Sequence, residues 1–405
     1  MTTTPRTDAP ADAPADAPAD TPPDAPPATR TRTRAQAQAR ARRRDRRVYL
    51  RSHPLLFALL AATRRRPVRR LGRTLLVHDP AAYREALTAL PLDRTAPRTT
   101  GGAARAALRG DGTVLFDQDG PDHRTDRREL AAALGTASVA RLRTAWQPLL
   151  KAHLAPLNTA TGTGTGTGTR TVDLVPLAQD LSGTVVRALL GCPAAPRPLA
   201  SAAADAAAAS VRSHLPGPRR PRAEAAAARA ADRLRELLGP GADARSAMVA
   251  VAAVNTTVAA LPRAVARCAD AGLWDQAADP ALRPALVDEL LRVTAASPVL
   301  PRVAAAAGSL GGCPVRSGDR LLLVARHAAD AHRSDPDART PAAPALAHLV
   351  FGAGPHACPG AGVARALLTD VLEALAPHRP VVTRARADRR AALPGWRVLT
   401  VGTTS

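Results

Sequence analysis

The run Phe351-Gly-Ala-Gly-Pro-His-Ala-Cys-Pro-Gly-Ala-Gly-Val-Ala-Arg365 constrains the fold of this chain more than any other stretch. It sets one cysteine, Cys358, in a Gly/Pro-rich loop directly before an apolar helical run, Ala361 to Ala376. Most unpaired cysteines are buried, inert small hydrophobes. A thiol just ahead of a helix start instead meets free backbone N–H groups and the positive end of the helix dipole, which favour the thiolate. Gly352, Gly354 and Gly360 leave no side chain where a large flat ligand would approach the backbone.

Around that loop the 405 residues read as mainly helical. Length alone suggests two or three domains, although single-domain enzymes reach this size. Only eight residues are aromatic, so the core has to be packed from Leu, Val and Ala. Residues 1–47 open on an Asp-Ala-Pro-Ala repeat and turn into an Arg/Thr/Gln/Ala run. That composition cannot bury a core, so it is expected to be a disordered low-complexity tail before a body spanning 48–405.

Pro67–Leu71 and Arg73–His78, split by Gly72, predict a hairpin, and Asp79 caps a helix over Pro80–Leu90. Arg98–Gly112 and the Thr/Gly repeat Thr159–Thr169 are expected to be loops. Helical patterns follow at Val172–Leu190, Leu199–Leu215, Arg222–Leu238, Ser246–Gly272 (with a kink expected at Pro262) and Pro284–Ala295. Arg320–Val324 reads as a short buried strand. The longest apolar run, Met248–Leu261, is interrupted by Asn255, Thr256 and Thr257, and is too short and polar for a membrane span.

The cysteine run resembles the haem-binding loop of the cytochrome P450 family, Phe-Gly-x-Gly-x-His-x-Cys-x-Gly-x-x-x-Ala-Arg. It fits at Phe351, Gly352, Gly354, His356, Cys358, Gly360, Ala364 and Arg365. A chance match at eight specified positions is on the order of one in ten billion per start site. The resemblance runs from about Tyr49 to Gly402. It implies an α-rich fold with small β-sheets in a single large domain, and a haem b (iron protoporphyrin IX) held by Cys358.

Three further segments extend the resemblance. His123 and Arg127, at i and i+4, share one helical face; spacing alone favours an amphipathic surface helix, whereas the family's His-x-x-x-Arg segment grips haem propionates. Arg302 and His356 stand where the family has further propionate ligands. Glu289-Leu-Leu-Arg292 matches the Glu-x-x-Arg motif that buttresses the cysteine loop. The family's third member of that network is an arginine in a Pro-x-Arg-Phe-like segment. In Asp335-Pro-Asp-Ala-Arg339, Ala338 takes its place and Arg339 falls one position late.

Ala252-Ala-Val-Asn-Thr-Thr257 resembles the family's oxygen-activation segment, in which Thr256 would hydrogen-bond dioxygen. The alternative is a threonine bonding back to its own helix. Asn255 replaces a carboxylate, and a neutral amide cannot relay a proton by titrating. Positioned proton transfer contributes roughly 10²–10⁴-fold, so this departure bears on the reaction catalysed.

The net charge of +22 raises nucleic acid or anionic membrane as partners. The body's arginines (Arg64–Arg70, Arg219–Arg222, Arg384–Arg390) are scattered and lack the interleaved aromatics that stack on bases, so no nucleic-acid role is expected. Four cysteines make no disulfide framework, and the N-terminus shows no apolar signal region; a cytoplasmic protein without a membrane span is expected.

The resemblance implies a monooxygenase that inserts one atom of O2 into a small lipophilic substrate, with electrons from a ferredoxin or flavodoxin and its reductase. Pocket walls are expected from Arg98–Gly112, Leu199–Arg222, Ala252 and Val299–Leu300. The rival readings are oxidative coupling, desaturation or peroxide-driven oxidation at the same iron, and a non-catalytic helper protein.

Overall fold

The computed structural model describes residues 27–96, 118–158, 170–213 and 221–403, with residues 1, 99 and 115. The Arg98–Gly112 loop (Thr99 apart) and the Thr159–Thr169 repeat lie outside the described residues.

Helices dominate, and one runs through the middle. It spans Ala244–Ala271, is capped by Asp243, whose carboxylate accepts from the Ser246 N–H, and closes on Gly272 in a left-handed conformation. Every residue from Ala259 to Ala271 is buried, so this half has no solvent face. Its length and composition would suffice to cross a membrane, but 61% of its most apolar window is buried inside the fold. The helix assignment continues through Pro262.

Packed around it are Thr136–Asn158, Leu174–Leu190, Arg283–Thr294 and Ala361–Leu375, which share one apolar core with its C-terminal half. A second core joins its N-terminal half to Pro196–Ser213 and Pro221–Leu238 through Ala200, Ala203, Ala206, Ala231 and Leu234. Small side chains let helix backbones approach closely here. The limit is reached at Gly183, where an added Cβ would sit 2.0 Å from the Pro196 carbonyl oxygen.

The sheets are small. Strands β1 (Val68–Leu71), β2 (Thr74–Val77), β4 (Leu300–Val303) and β7 (Arg320–Leu323) form one sheet in the order β1-β2-β7-β4. The β1–β2 hairpin is antiparallel, and β2 runs parallel to β7. Strands β3 (Arg170–Asp173), β8 (Val381–Ala387) and β9 (Trp396–Thr403) form a second sheet in the order β3-β9-β8. β5 (Gly308–Leu310) and β6 (Cys313–Val315) make a separate hairpin. Val172 and Asp173, expected at a helix start, belong to β3; the helix begins at Leu174, with Asp173 as its cap.

The expected disordered tail is corrected more substantially. Residues 2–26 lie outside the described residues, but Pro27–Ser52 is a helix that runs through the expected boundary at 47/48. Gln38, Ala41, Asp45, Val48 and Tyr49 are all buried, at the three- and four-residue spacing of one helical face.

Ion pairs fix this helix in place. Arg263, on the central helix, has a fully buried side chain and donates from Nε to Asp45 at 2.8 Å. Tyr49 donates to the Thr294 carbonyl at 3.0 Å. Arg42 pairs with Asp335, Arg44 with Asp270, and Arg34 with Asp337 at 2.5 Å.

Candidate active site

The cysteine loop is shaped by its own backbone. His348–Phe351 and Gly354–His356 are single 3-10 turns, and the Cys358 N–H donates to the Phe351 carbonyl at 2.7 Å. Gly354 needs its glycine twice over: φ is +69°, and a Cβ would lie 3.1 Å from the Leu87 carbonyl oxygen. Gly360 caps the helix Ala361–Leu375, and a Cβ there would stand 3.8 Å from the Cys358 sulfur.

Cys358 is exposed by surface area, yet protein atoms crowd its other sides. That desolvation pushes the thiol up, outweighing the Gly360 N–H and the charges of Arg127 and Arg365, which pull it down. The Gly360 N–H at the helix start favours the thiolate, as the position suggests, and burial opposes it.

Arg365 ties the loop to the frame. Its Nε donates to Asp288 at 2.5 Å, and its guanidinium lies 4.9 Å from the centroid of the Phe351 ring. On the helix Arg283–Thr294, which carries Asp288, the next residue Glu289 and Arg292 form a bidentate pair at 2.8 and 2.6 Å, both side chains essentially without solvent contact. Arg292 also donates to the Ala329 carbonyl at 3.0 Å.

The third position of this network is filled by backbone. Ala338 is buried, Arg339 is exposed, and Glu289 Oε1 accepts from the Ala342 N–H at 3.0 Å. The Asp335–Arg339 segment is held from outside instead. Asp335 pairs with Arg42 and Arg267, Asp337 pairs with Arg34, and the Ala338 N–H donates to Gln276 at 2.7 Å.

His123, Arg127, Arg302 and His356 converge beside the cysteine. The His123 and His356 rings stack with centroids 3.9 Å apart, and Arg127 donates to the Ala357 carbonyl. Burial and neighbouring arginines push His356 down to about 3; the same causes lower His123. Both imidazoles are therefore neutral near pH 7 and offer N–H donors rather than charge. Their Nε2 atoms are buried with no hydrogen-bond partner.

Arg302 is pushed down to about 10, first by burial and then by Arg94. Arg94 was not singled out from sequence. It too is lowered by burial, and it bears electrostatically on His123, Arg302 and His356. No fixed spacing marks it, because it reaches the cluster from the segment after a helix rather than from a motif.

Among the described residues, neither Asn255 nor Thr256 hydrogen-bonds to this cluster or to the cysteine loop. The Thr256 hydroxyl donates to the Ala252 carbonyl at 2.8 Å, the back-bonded arrangement. The Asn255 amide donates to Val251 O at 2.8 Å and to Ala203 O at 3.3 Å, tying the central helix to Pro196–Ser213. Asn255→Asp would set a carboxylate oxygen against two carbonyl oxygens. It is expected to lower stability by about 1–3 kcal/mol, the cost of leaving such groups unsatisfied. Denaturant unfolding measures this, and an unchanged midpoint would show that the amide tie is dispensable.

No protein-family model matches the chain. A 20-oxo-5-O-mycaminosyltylactone 23-monooxygenase from Streptomyces fradiae is 38% identical over 106 residues, 26% of this chain and 25% of that protein. An erythromycin C-12 hydroxylase from Saccharopolyspora erythraea is 35% identical over 123 residues, 29% of this chain and 31% of that one. The chain thus spans between a quarter and a third of the length of these curated relatives.

Solved structures extend the likeness across the fold. A mutant of P450 EryK with erythromycin B aligns with TM-score 0.63 at 22% identity, over 87% of this chain and 97% of that one. The mycinamicin VIII C21 methyl hydroxylase MycCI of Micromonospora griseorubida aligns with TM-score 0.64 at 22% identity, over 84% and 95%.

Proposed function

We propose that this chain is a haem-thiolate monooxygenase of the cytochrome P450 family, acting in secondary metabolism; its fold, shared with solved P450 structures, and its local likeness to a curated monooxygenase and a curated hydroxylase support the reading. One observation carries the reading. Beside a cysteine at a helix start, two buried imidazole nitrogens lack partners while Arg94, Arg127 and Arg302 crowd around them. That donor-rich set suits a group bringing two carboxylates, and haem b brings two propionates and an iron that takes a thiolate.

On this reading Cys358 would ligate the iron, whose positive charge would offset the burial that raises its thiol pKa. His123, Arg127, Arg302 and His356 hold the propionates, Arg94 adds positive potential, and Phe351 and Gly360 shape the loop around the sulfur. Glu289 and Arg292 buttress it. A thiolate-ligated haem supplies oxygen activation and O–O cleavage.

Thr256 would turn its hydroxyl from the Ala252 carbonyl to face dioxygen. Asn255, with both amide hydrogens committed to carbonyls, holds the helix rather than moving a proton. Proton supply then falls to solvent, and the alternative reading of coupling, desaturation or peroxide-driven oxidation draws its support from the same residue. The substrate is a small lipophilic molecule, of the kind represented by the mycaminosyltylactone and erythromycin of the two curated relatives. Electrons come from a ferredoxin or flavodoxin with its reductase, and the protein works in the cytoplasm.

Haem retention tests the site. Each lost charge-assisted hydrogen bond costs about 1.5–3 kcal/mol. The His123→Ala, Arg127→Ala double variant is therefore expected to purify with much less haem at unchanged helical content. Full haem retention would remove these residues from the site, and a native protein that takes up no haem would favour the helper reading.

A further inference from the structure

Away from the cysteine loop, a cleft of ≈ 830 Å³ is walled by arginine. Arg47 and Arg51 come from the first helix, Arg386 from β8, Arg389 and Arg390 from the following turn, and Arg397 from β9. All six are exposed, and among the described residues none has a carboxylate within ion-pair distance. Two acids, Asp205 and Asp388, also line the cleft, leaving it a formal charge of +4. Asp388 is already engaged, accepting from the Arg390 and Ala391 N–H groups at 2.7 and 3.1 Å.

Six like charges gathered in one concavity repel one another, whereas Arg34, Arg42 and Arg44 on the same first helix each meet an aspartate. A second observation points the same way. Trp396 is 5% exposed and lines the cleft, yet its indole nitrogen is buried with no acceptor. The wall thus presents guanidinium forks, and beneath it lies an indole N–H that no protein acceptor satisfies. Guanidinium planes match phosphate oxygens two at a time, and a lone carboxylate would leave most of the +4 unbalanced. The volume lies within the roughly 300–1,000 Å³ range of small-molecule sites.

We propose that this cleft binds a small organic ligand through a diphosphate or comparably charged phosphate group, with the Trp396 indole as one of its donors. The site is separate from the cysteine loop and stands whether or not the proposed reaction does.

Calorimetric titration of the full-length protein with inorganic pyrophosphate, at ionic strength held constant with chloride, tests it. Saturable binding of one pyrophosphate per chain is expected. Arg386→Ala with Arg397→Ala should weaken it at least tenfold, and Trp396→Phe severalfold, with unchanged circular dichroism. Arg233→Ala, an exposed change on Pro221–Leu238, should leave it intact. Absence of saturable heat, or equal weakening by Arg233→Ala, would overturn the site in favour of diffuse charge attraction. Unchanged affinity in Trp396→Phe would overturn the indole's part in it.

Discussion

Asp45→Ala is expected to destabilise the fold by about 3–5 kcal/mol, the usual cost of leaving a buried charge without its partner. Arg263 has no solvent to turn to: its side chain is fully buried, with Asp45 at 2.8 Å as its carboxylate. Its other hydrogen bonds go to the Tyr49 hydroxyl and to the Pro394 carbonyl at 3.4 Å, neither of them a carboxylate. Truncation at residue 47 removes Asp45 together with Arg34, Arg42 and Arg44, and should be at least as damaging. Arg34→Ala is the contrast. Its side chain is 53% exposed, so losing the pair with Asp337 should cost no more than about 1 kcal/mol. Denaturant midpoints rank the three, and equal small effects would show that the first helix does not brace the body.

Glu289→Gln is the second large effect. It leaves Arg292 charged within a pair that has essentially no solvent contact, again about 3–5 kcal/mol. The damage should reach the cysteine, because the same helix carries Asp288, which holds Arg365 and through it Phe351. Thermal stability and haem retention are expected to fall together. Arg339→Ala, on an exposed side chain while Glu289 accepts from Arg292 and the Ala342 N–H, should change stability by less than about 0.5 kcal/mol. A large loss in Arg339→Ala would mean that it, rather than the Ala342 N–H, completes the network.

The cysteine loop and the helices near it were legible because they rest on local signals. Glycine punctuates the loop, Asp79 caps a helix, and apolar residues recur at helical spacing. The first helix was not legible. Its buried face includes Gln38 and Asp45, so a search for apolar periodicity finds only Ala41, Val48 and Tyr49 among many arginines. What stabilises it is a set of carboxylates hundreds of residues away, and no local pattern encodes that. For the same reason spacing could not show that a backbone N–H replaces the missing arginine of the Glu289–Arg292 network. Nor could it show that Asn255 is engaged with Ala203 on a neighbouring helix. Arg94 was missed because it enters the cationic cluster from a segment with no motif.

The central claim, that Cys358 ligates a haem iron as thiolate, is tested most directly by one absorption spectrum. The purified protein is loaded with haem, reduced and exposed to carbon monoxide, beside Cys358→His treated identically. The native protein should show the far-red-shifted Soret band of a thiolate-ligated haem, and the variant should lose that shift. An unshifted band in native protein with full haem content and an intact fold would contradict the account.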